Sequence, residues 1–301
     1  MNVIQNITKI EQLVAYIYNQ KGCNENQIYE EVYSTTSKSL KEKINFLHIV
    51  GAIEKRKDKI VLESNFNKSL NSIFGSKIRV PKNKKERELV FSKIKVELLE
   101  LLAAQSFDID IEKNYTFKNQ AATLLIYSYM TNNSHNYLTL KQQSIDRITV
   151  FFNELGYRPV NKNGSEIKLN THKLENALLI LSHFGLVERI KAKTSYYYYP
   201  KFDPYLFYFI LKKSLKNTRT EQSISDLLTF IGTKYIPLVK GYRPVMDLCI
   251  SPTIGGALWI LFTRKHIKLS NKGDVSILSN IPSFIEAKFS AKVNWIELIS
   301  K

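Results

Sequence analysis

Cysteine is nearly absent from this chain: Cys23 and Cys249 are the two among 301 residues. So distant a pair gives neither a disulfide framework nor the spacing of a zinc site, and it fits a reducing, cytoplasmic setting. No apolar run approaches the ~18 residues that a membrane span needs, and the first residues lack the charged start and apolar core of a signal peptide. No membrane partner is expected. Glycine is sparse, and no phosphate cradle is built from it. Phe74-Gly75-Ser76-Lys77 lacks the upstream glycine of a Walker A loop, and Gly-x-Gly-x-x-Gly does not occur. The histidines His48, His135, His172, His183 and His266 are scattered, without the His-Glu-x-x-His pattern, and read as surface or core residues. The expectation is a protein with no cofactor, no metal site and no catalytic residue.

Acidic residues are also in short supply. Lysine and arginine outnumber aspartate and glutamate by 44 to 27, a formal charge of +17 and an isoelectric point near 9.6. The surface must carry basic patches, for which polyanions are the expected partners. A lysine-rich and asparagine-rich composition accounts for part of the excess, but not for its gathering at particular turns.

One stretch organises the rest. In residues 37–62 Leu40, Ile44 and Leu47 make an apolar stripe at helical spacing, while Lys38, Lys41, Glu42, Lys43 and Asn45 cover the remaining surface. Gly51 is placed to take the left-handed conformation that stops a helix. Two β-prone runs follow, at residues 52–54 and 60–62, around a charged turn of Lys55, Arg56, Lys57, Asp58 and Lys59. The pattern recurs. Setting Gly51 on Gly185 places Leu40 on Leu174, Ile44 on Leu178, Leu47 on Leu181, Ile53 on Val187 and Lys55 on Arg189. The second hairpin also has a lysine-bearing tip, at Lys191 and Lys193. A fainter third copy is expected as a helix over residues 252–263, a strand at 267–269, a turn at 270–274 and a strand at 275–278.

Upstream of the first stretch, Thr8-Lys9-Ile10-Glu11 and Asn24-Glu25-Asn26-Gln27 have the spacing of helix capping boxes. Three helices and a hairpin therefore fit into residues 8–64, an order that resembles the winged helix-turn-helix superfamily. The fold class expected is mainly α with short β-hairpins (α+β), in tandem winged-helix domains joined by a helical middle region. The divisions expected are a winged helix at residues 1–66, a basic linker and helical region at 67–137, a second winged-helix-like domain at 138–215 and a helix-hairpin domain at 216–301. Lys77, Arg79, Lys82, Lys84, Lys85 and Arg87 run through the connector into the next helix, either as a solvated segment or as one that follows phosphates. Of Tyr196, Tyr197, Tyr198 and Tyr199, two are expected to pack inward and two to face out. Phe202, Tyr205, Phe207, Tyr208 and Phe209 are read as core between the second and third units.

The resemblance implies a noncatalytic protein that binds double-stranded DNA, with phosphate contacts from lysine and arginine. Candidate contacts are Lys38, Lys41, Lys43 and Asn45 on the first helix and Lys55, Arg56, Lys57 and Lys59 on its hairpin. In the second unit they are His172 and Lys173 at the helix start and Arg189, Lys191 and Lys193 on the hairpin. Several winged helices in one basic chain also resemble the accessory subunits of prokaryotic DNA-modification and anti-phage defence clusters, including the DpdG type, and plasmid replication initiators built from two winged helices. The first likeness implies protein partners in a multi-subunit complex, so a docking role without DNA contact stands as the alternative. A second alternative is a Mg²⁺-dependent nuclease, since Glu286-x-Lys288 with Asp274 upstream is similar to a short nuclease pattern.

Overall fold

The computed structural model describes residues 9–32, 37–107, 119–132, 137–154, 156, 168–215, 219–236, 252–270, 272 and 294–299. The chain divides into two compact units, Met1–Gln105 and Ser106–Lys301. It is an α+β protein, mostly helical, with small antiparallel sheets.

In the first unit, α1 (Ile10–Gln20) buries Ile10, Leu13, Val14 and Ile17. Thr8 of the expected capping box lies outside the described residues. Glu11, its other member, is buried and pairs with Lys95 at 3.7 Å, and the residue flanking the helix is Lys9 in a left-handed conformation. The second capping box forms fully at the start of α2 (Glu25–Val32). The Asn24 N–H donates to Gln27 Oε1 at 3.0 Å, and the Gln27 N–H donates to Asn24 Oδ1 at 2.8 Å. Then come α3 (Ser37–Ile49), β1 (Ile53–Arg56) and β2 (Lys59–Leu62), the strands pairing from Ile53–Leu62 to Arg56–Lys59. Cys23, between α1 and α2, bridges to Ile60 and adds a one-residue third strand beside β2. Two further helices, α4 (Ser64–Phe74) and α5 (Lys84–Phe107), complete the unit.

The second unit begins with α6 (Asn119–Asn132), β3 (Leu138–Thr139), α7 (Gln142–Glu154), α8 (Thr171–His183), β4 (Val187–Ala192) and β5 (Ser195–Pro200). The strand order is β3-β5-β4. In this repeat α6 packs on α8 and β5. Next come α9 (Pro204–Ser214), β6 (Glu221–Ser223), α10 (Ile224–Lys234), α11 (Pro252–Thr263), β7 (Ile267–Ser270) and β8 (Trp295–Leu298), with order β6-β8-β7. The sequence helix, strand, helix, helix, strand, strand therefore occurs three times, each time with the first strand next to the last. In the third instance α9 supplies the first helix and buries Leu206, Phe207, Ile210 and Leu211. Phe202 and Phe207 are core as expected, whereas Tyr205, Tyr208 and Phe209 are half-buried. The strand expected at 275–278 lies outside the described residues, and the described partner of β7 is β8.

Identical backbone hydrogen bonds close all three helix-to-strand corners. After α3, Ala52 N–H donates to the Leu47 carbonyl at 2.8 Å; after α8, Leu186 donates to Leu181 at 2.9 Å; after α11, His266 donates to Leu261 at 2.9 Å. These six-to-one bonds require a left-handed residue in between. That residue is Gly51 at φ 77°, Gly185 at φ 76° and, in the third copy, Lys265 at φ 57°. A second shared bond ties each last strand to the corner: Glu63 to Ala52 at 3.0 Å, Lys201 to Leu186 at 2.8 Å and Ile299 to His266 at 3.0 Å. Leu40, Ile44 and Leu47 in the first copy and Leu174, Leu178 and Leu181 in the second are all buried, each side chain contributing about 2 kcal/mol of transfer free energy.

Candidate nucleic-acid interface

In the first repeat the basic residues divide into buried, paired and free. Lys41 is exposed and Asn45 half-buried on α3. Lys38 lies in the first turn of the same helix, and its side chain lies outside the described residues. Lys43, expected on the surface, is 2% exposed; its ammonium donates to Ser39 Oγ at 2.7 Å. Burial holds its pKa below the usual lysine value. Phe46 and Val50 are buried beside Leu47, so α3 is covered over a wider arc than its stripe at i, i+4 and i+7 implied, and Lys43 falls inside it.

At the hairpin between β1 and β2, Lys55 pairs with Glu25 at 3.0 Å and Arg56 with Glu54 at 2.9 Å, all four side chains being well exposed. Exposed pairs of this kind are worth about 0–1 kcal/mol, so either cation can exchange its carboxylate for a phosphate at little cost. Lys57 and Lys59 at the tip are exposed and form no ion pair among the described residues. Lys57 takes the two-residue turn at φ 53°, a conformation that favours glycine or asparagine and costs a lysine about 1 kcal/mol.

The second hairpin repeats this arrangement and adds aromatic rings. Ala192 pairs with Ser195, so Lys193 and Thr194 form the turn, and Lys193 sits at φ 54°. A lysine thus occupies the same strained place at both tips. Register puts Arg189 across from Tyr198 and Lys191 across from Tyr196. The Arg189 guanidinium lies 4.7 Å from the Tyr196 ring centre and the Lys191 ammonium 6.0 Å from it, close enough for cation–π attraction to orient both cations. Of the four tyrosines, Tyr198 is the fully buried one, and Tyr196 shares its face but lies further out and is exposed. Tyr197 and Tyr199 occupy the opposite face, each packed on Tyr137, at 5.4 and 5.7 Å. At the start of α8, His172 is exposed, while Lys173 is half-buried and turns its ammonium back to the Lys168 carbonyl at 2.6 Å. Burial lowers its pKa as well.

The third repeat has the same frame with different chemistry. No charged residue occurs from Pro252 to Thr263, and Trp259 and Phe262 stack at 6.0 Å on α11. The cations of its sheet are matched by acids: Lys268 pairs with Glu297 at 3.1 Å, and Lys272 donates to Glu221 while lying 5.1 Å from the Trp295 ring centre. That hydrogen bond from Lys272 holds the Glu221 carboxyl below the usual carboxylate range.

Asp274, Glu286 and Lys288 lie outside the described residues, as does Cys249. Cys23 is buried, with its thiol pushed up to about 11 by burial; its part in the fold is the bridge to Ile60. Among the described residues no group of three His, Cys, Asp or Glu side chains is arranged to hold a metal ion, and no helix is long and apolar enough to cross a membrane. Compared with known proteins, the chain matches no family model, no curated protein and no solved structure.

Proposed function

We propose that this chain is a noncatalytic double-stranded DNA-binding protein built of tandem winged helices. In this reading α3 and α8 are the helices that enter successive grooves, and the two lysine-tipped hairpins are wings that lie along the phosphate backbone. The observation that carries it is the placement of Lys57 and Lys193 at equivalent turn positions of the two hairpins, both exposed and without an ion pair among the described residues. Wing cations with no carboxylate partner, or with one in an exposed and weak pair, are suited to phosphate. Sequence-independent contacts of this kind supply affinity first and specificity second.

A docking role is proposed for the third repeat on one specific observation, the absence of any charged residue from α11. Of its described side chains only Thr263 is exposed, so the helix has no cation to offer a phosphate backbone, and its repeat fits the reading of an accessory subunit in a multi-subunit DNA-processing or defence assembly.

The test is binding of the full chain to a labelled mixed-sequence duplex, followed by fluorescence anisotropy. The expected outcome is tight binding at about 50 mM salt, weakening by about a thousandfold or more at about 200 mM, with plasmid left uncut in Mg²⁺ or Mn²⁺. Absence of binding at the lower salt would sink the DNA reading in favour of docking throughout.

A further inference from the structure

The connector after α4 is basic in sequence, and its structure is that of a fixed strap. Asn19 at the end of α1 clamps the backbone of Ile78 from both sides: its Nδ2 donates to the Ile78 carbonyl at 2.9 Å, and its Oδ1 accepts from the Ile78 N–H at 2.8 Å. The Tyr18 hydroxyl donates to the Gly75 carbonyl. At the far end Arg87 Nη1 donates to the Lys82 carbonyl at 3.2 Å, and Pro81 fixes one backbone torsion in between. Ile78 is 1% exposed, whereas its neighbours Lys77 and Arg79 are exposed, as are Lys82, Lys84 and Lys85.

Four of these cations, Lys77, Arg79, Lys82 and Lys85, have no acidic partner among the described residues. The fifth, Lys84, has only an exposed 4.0 Å contact with Glu88. Lys84 and Lys85 also occupy the first turn of α5, where the helix dipole disfavours cations. A merely solvated linker needs neither backbone clamps nor lysines placed against a dipole. The clamp and the first hairpin are moreover held from neighbouring residues: Asn19 holds the strap, and Cys23, four residues on, bridges to Ile60 in β2, opposite Lys55 of the hairpin.

From this we infer that the strap of residues 77–85 is a second phosphate-binding element of the first repeat, pre-set to follow the backbone of duplex DNA beside the wing. The inference rests on the DNA-binding reading and extends it to residues outside the helix and wing. The backbone that carries its cations is held before the ligand arrives, so less backbone ordering entropy is lost on binding.

The test uses the full chain carrying Lys77→Gln, Arg79→Gln, Lys82→Gln and Lys85→Gln, measured against mixed-sequence duplex between about 50 and 200 mM salt. Every phosphate that the variant no longer neutralises should flatten the log–log slope by about 0.9. The expected result is a slope shallower by about 2 to 4 and an affinity at least about tenfold weaker at the higher salt, with the thermal midpoint held. Curves that overlay those of the parent at both salts overturn the strap while leaving the wings in place. No binding by the parent itself overturns both. Binding of the parent, but not the variant, to phosphatidylserine vesicles, with duplex binding unchanged, assigns the strap to a membrane surface and also overturns the inference. Asn19→Ala keeps every charge, so it should retain the slope and weaken binding about threefold; an unchanged affinity contradicts the pre-set strap. Should the fourfold variant misfold, Arg79→Gln alone gives the same readout, with a slope change of about 0.9 expected and no change contradicting.

Discussion

The first and third repeats close their helix-to-strand corners with the same hydrogen bonds, yet differ in the charge of the helix and in the pairing of the sheet cations. Around Gly51 the chain carries Lys41 on one side and Lys57 and Lys59 on the other, all exposed. Around Lys265 it carries an uncharged helix and a sheet whose lysines are matched by Glu297 and Glu221. Backbone geometry in both depends on buried aliphatic spacing and one left-handed residue, neither of which constrains the outward positions. The frame is kept while its helix changes from lysine-bearing to uncharged, and the proposal that polyanion contact is confined to the first two repeats rests on that difference.

The largest effect expected on this comparison comes from its shared corner. Alanine at Gly51 would meet no neighbouring atom, so Gly51→Ala should cost only the left-handed penalty, about 1–2 kcal/mol. At Gly185 an added Cβ would lie 2.6 Å from Asp203 Cβ. Asp203 cannot withdraw easily, because its carboxylate caps α9 through Tyr205 and Leu206 N–H. Gly185→Ala should therefore lose about 2–5 kcal/mol, adding overpacking to the torsional term. Lys265→Gly should be neutral or stabilising by up to about 1 kcal/mol. Denaturant midpoints for the three variants check the order, and equal losses at the two glycines would break the claimed difference.

Charge provides the next contrast. Lys57→Gln with Lys59→Gln should weaken duplex binding about tenfold near physiological salt and flatten the salt slope by about 2, whereas Lys268→Gln should leave both unchanged. An equal loss from the third repeat would remove the division of labour. Within α3, Lys41→Gln should weaken binding about threefold, as for one exposed ion pair. Lys43→Met should change it less than twofold, since that ammonium is already bonded to Ser39 inside the protein. At the wing tip itself stability and affinity should move in opposite directions. Lys57→Asn should raise stability by up to about 1 kcal/mol by relieving the strained torsion, while affinity falls about threefold and the salt slope flattens by about 0.9. Loss of stability there would mean that Lys57 is needed by the turn.

Much of this frame is legible in the sequence. Apolar spacing locates α3 and α8, the two glycines locate their ends, and the Asn24 and Gln27 box locates α2, because each signal acts over a few neighbouring residues. The first strand of every repeat carries no such signal. Cys23, Leu138–Thr139 and Glu221–Ser223 are too short to show alternation, and they are strands only because the last strand of their repeat supplies a partner. Pairing of β7 with β8 is hidden for a related reason: long-range registry leaves no local mark when the residues between are numerous. Burial of Lys43 depends on how many elements cover α3, which periodicity along one helix does not report. The strap is legible as charge but not as structure, since its order comes chiefly from Asn19, remote in the chain from the Ile78 backbone that it holds.

The central claim is that the wings of the first two repeats bind duplex phosphates, and the most direct measurement is the salt slope of duplex binding for the full chain with and without Lys57→Gln, Lys59→Gln, Lys191→Gln and Lys193→Gln. The account predicts a parent slope of about −5 or steeper, reduced by about 3 to 4 in the variant. A parent slope shallower than about −2, or a variant slope equal to the parent's, would contradict it.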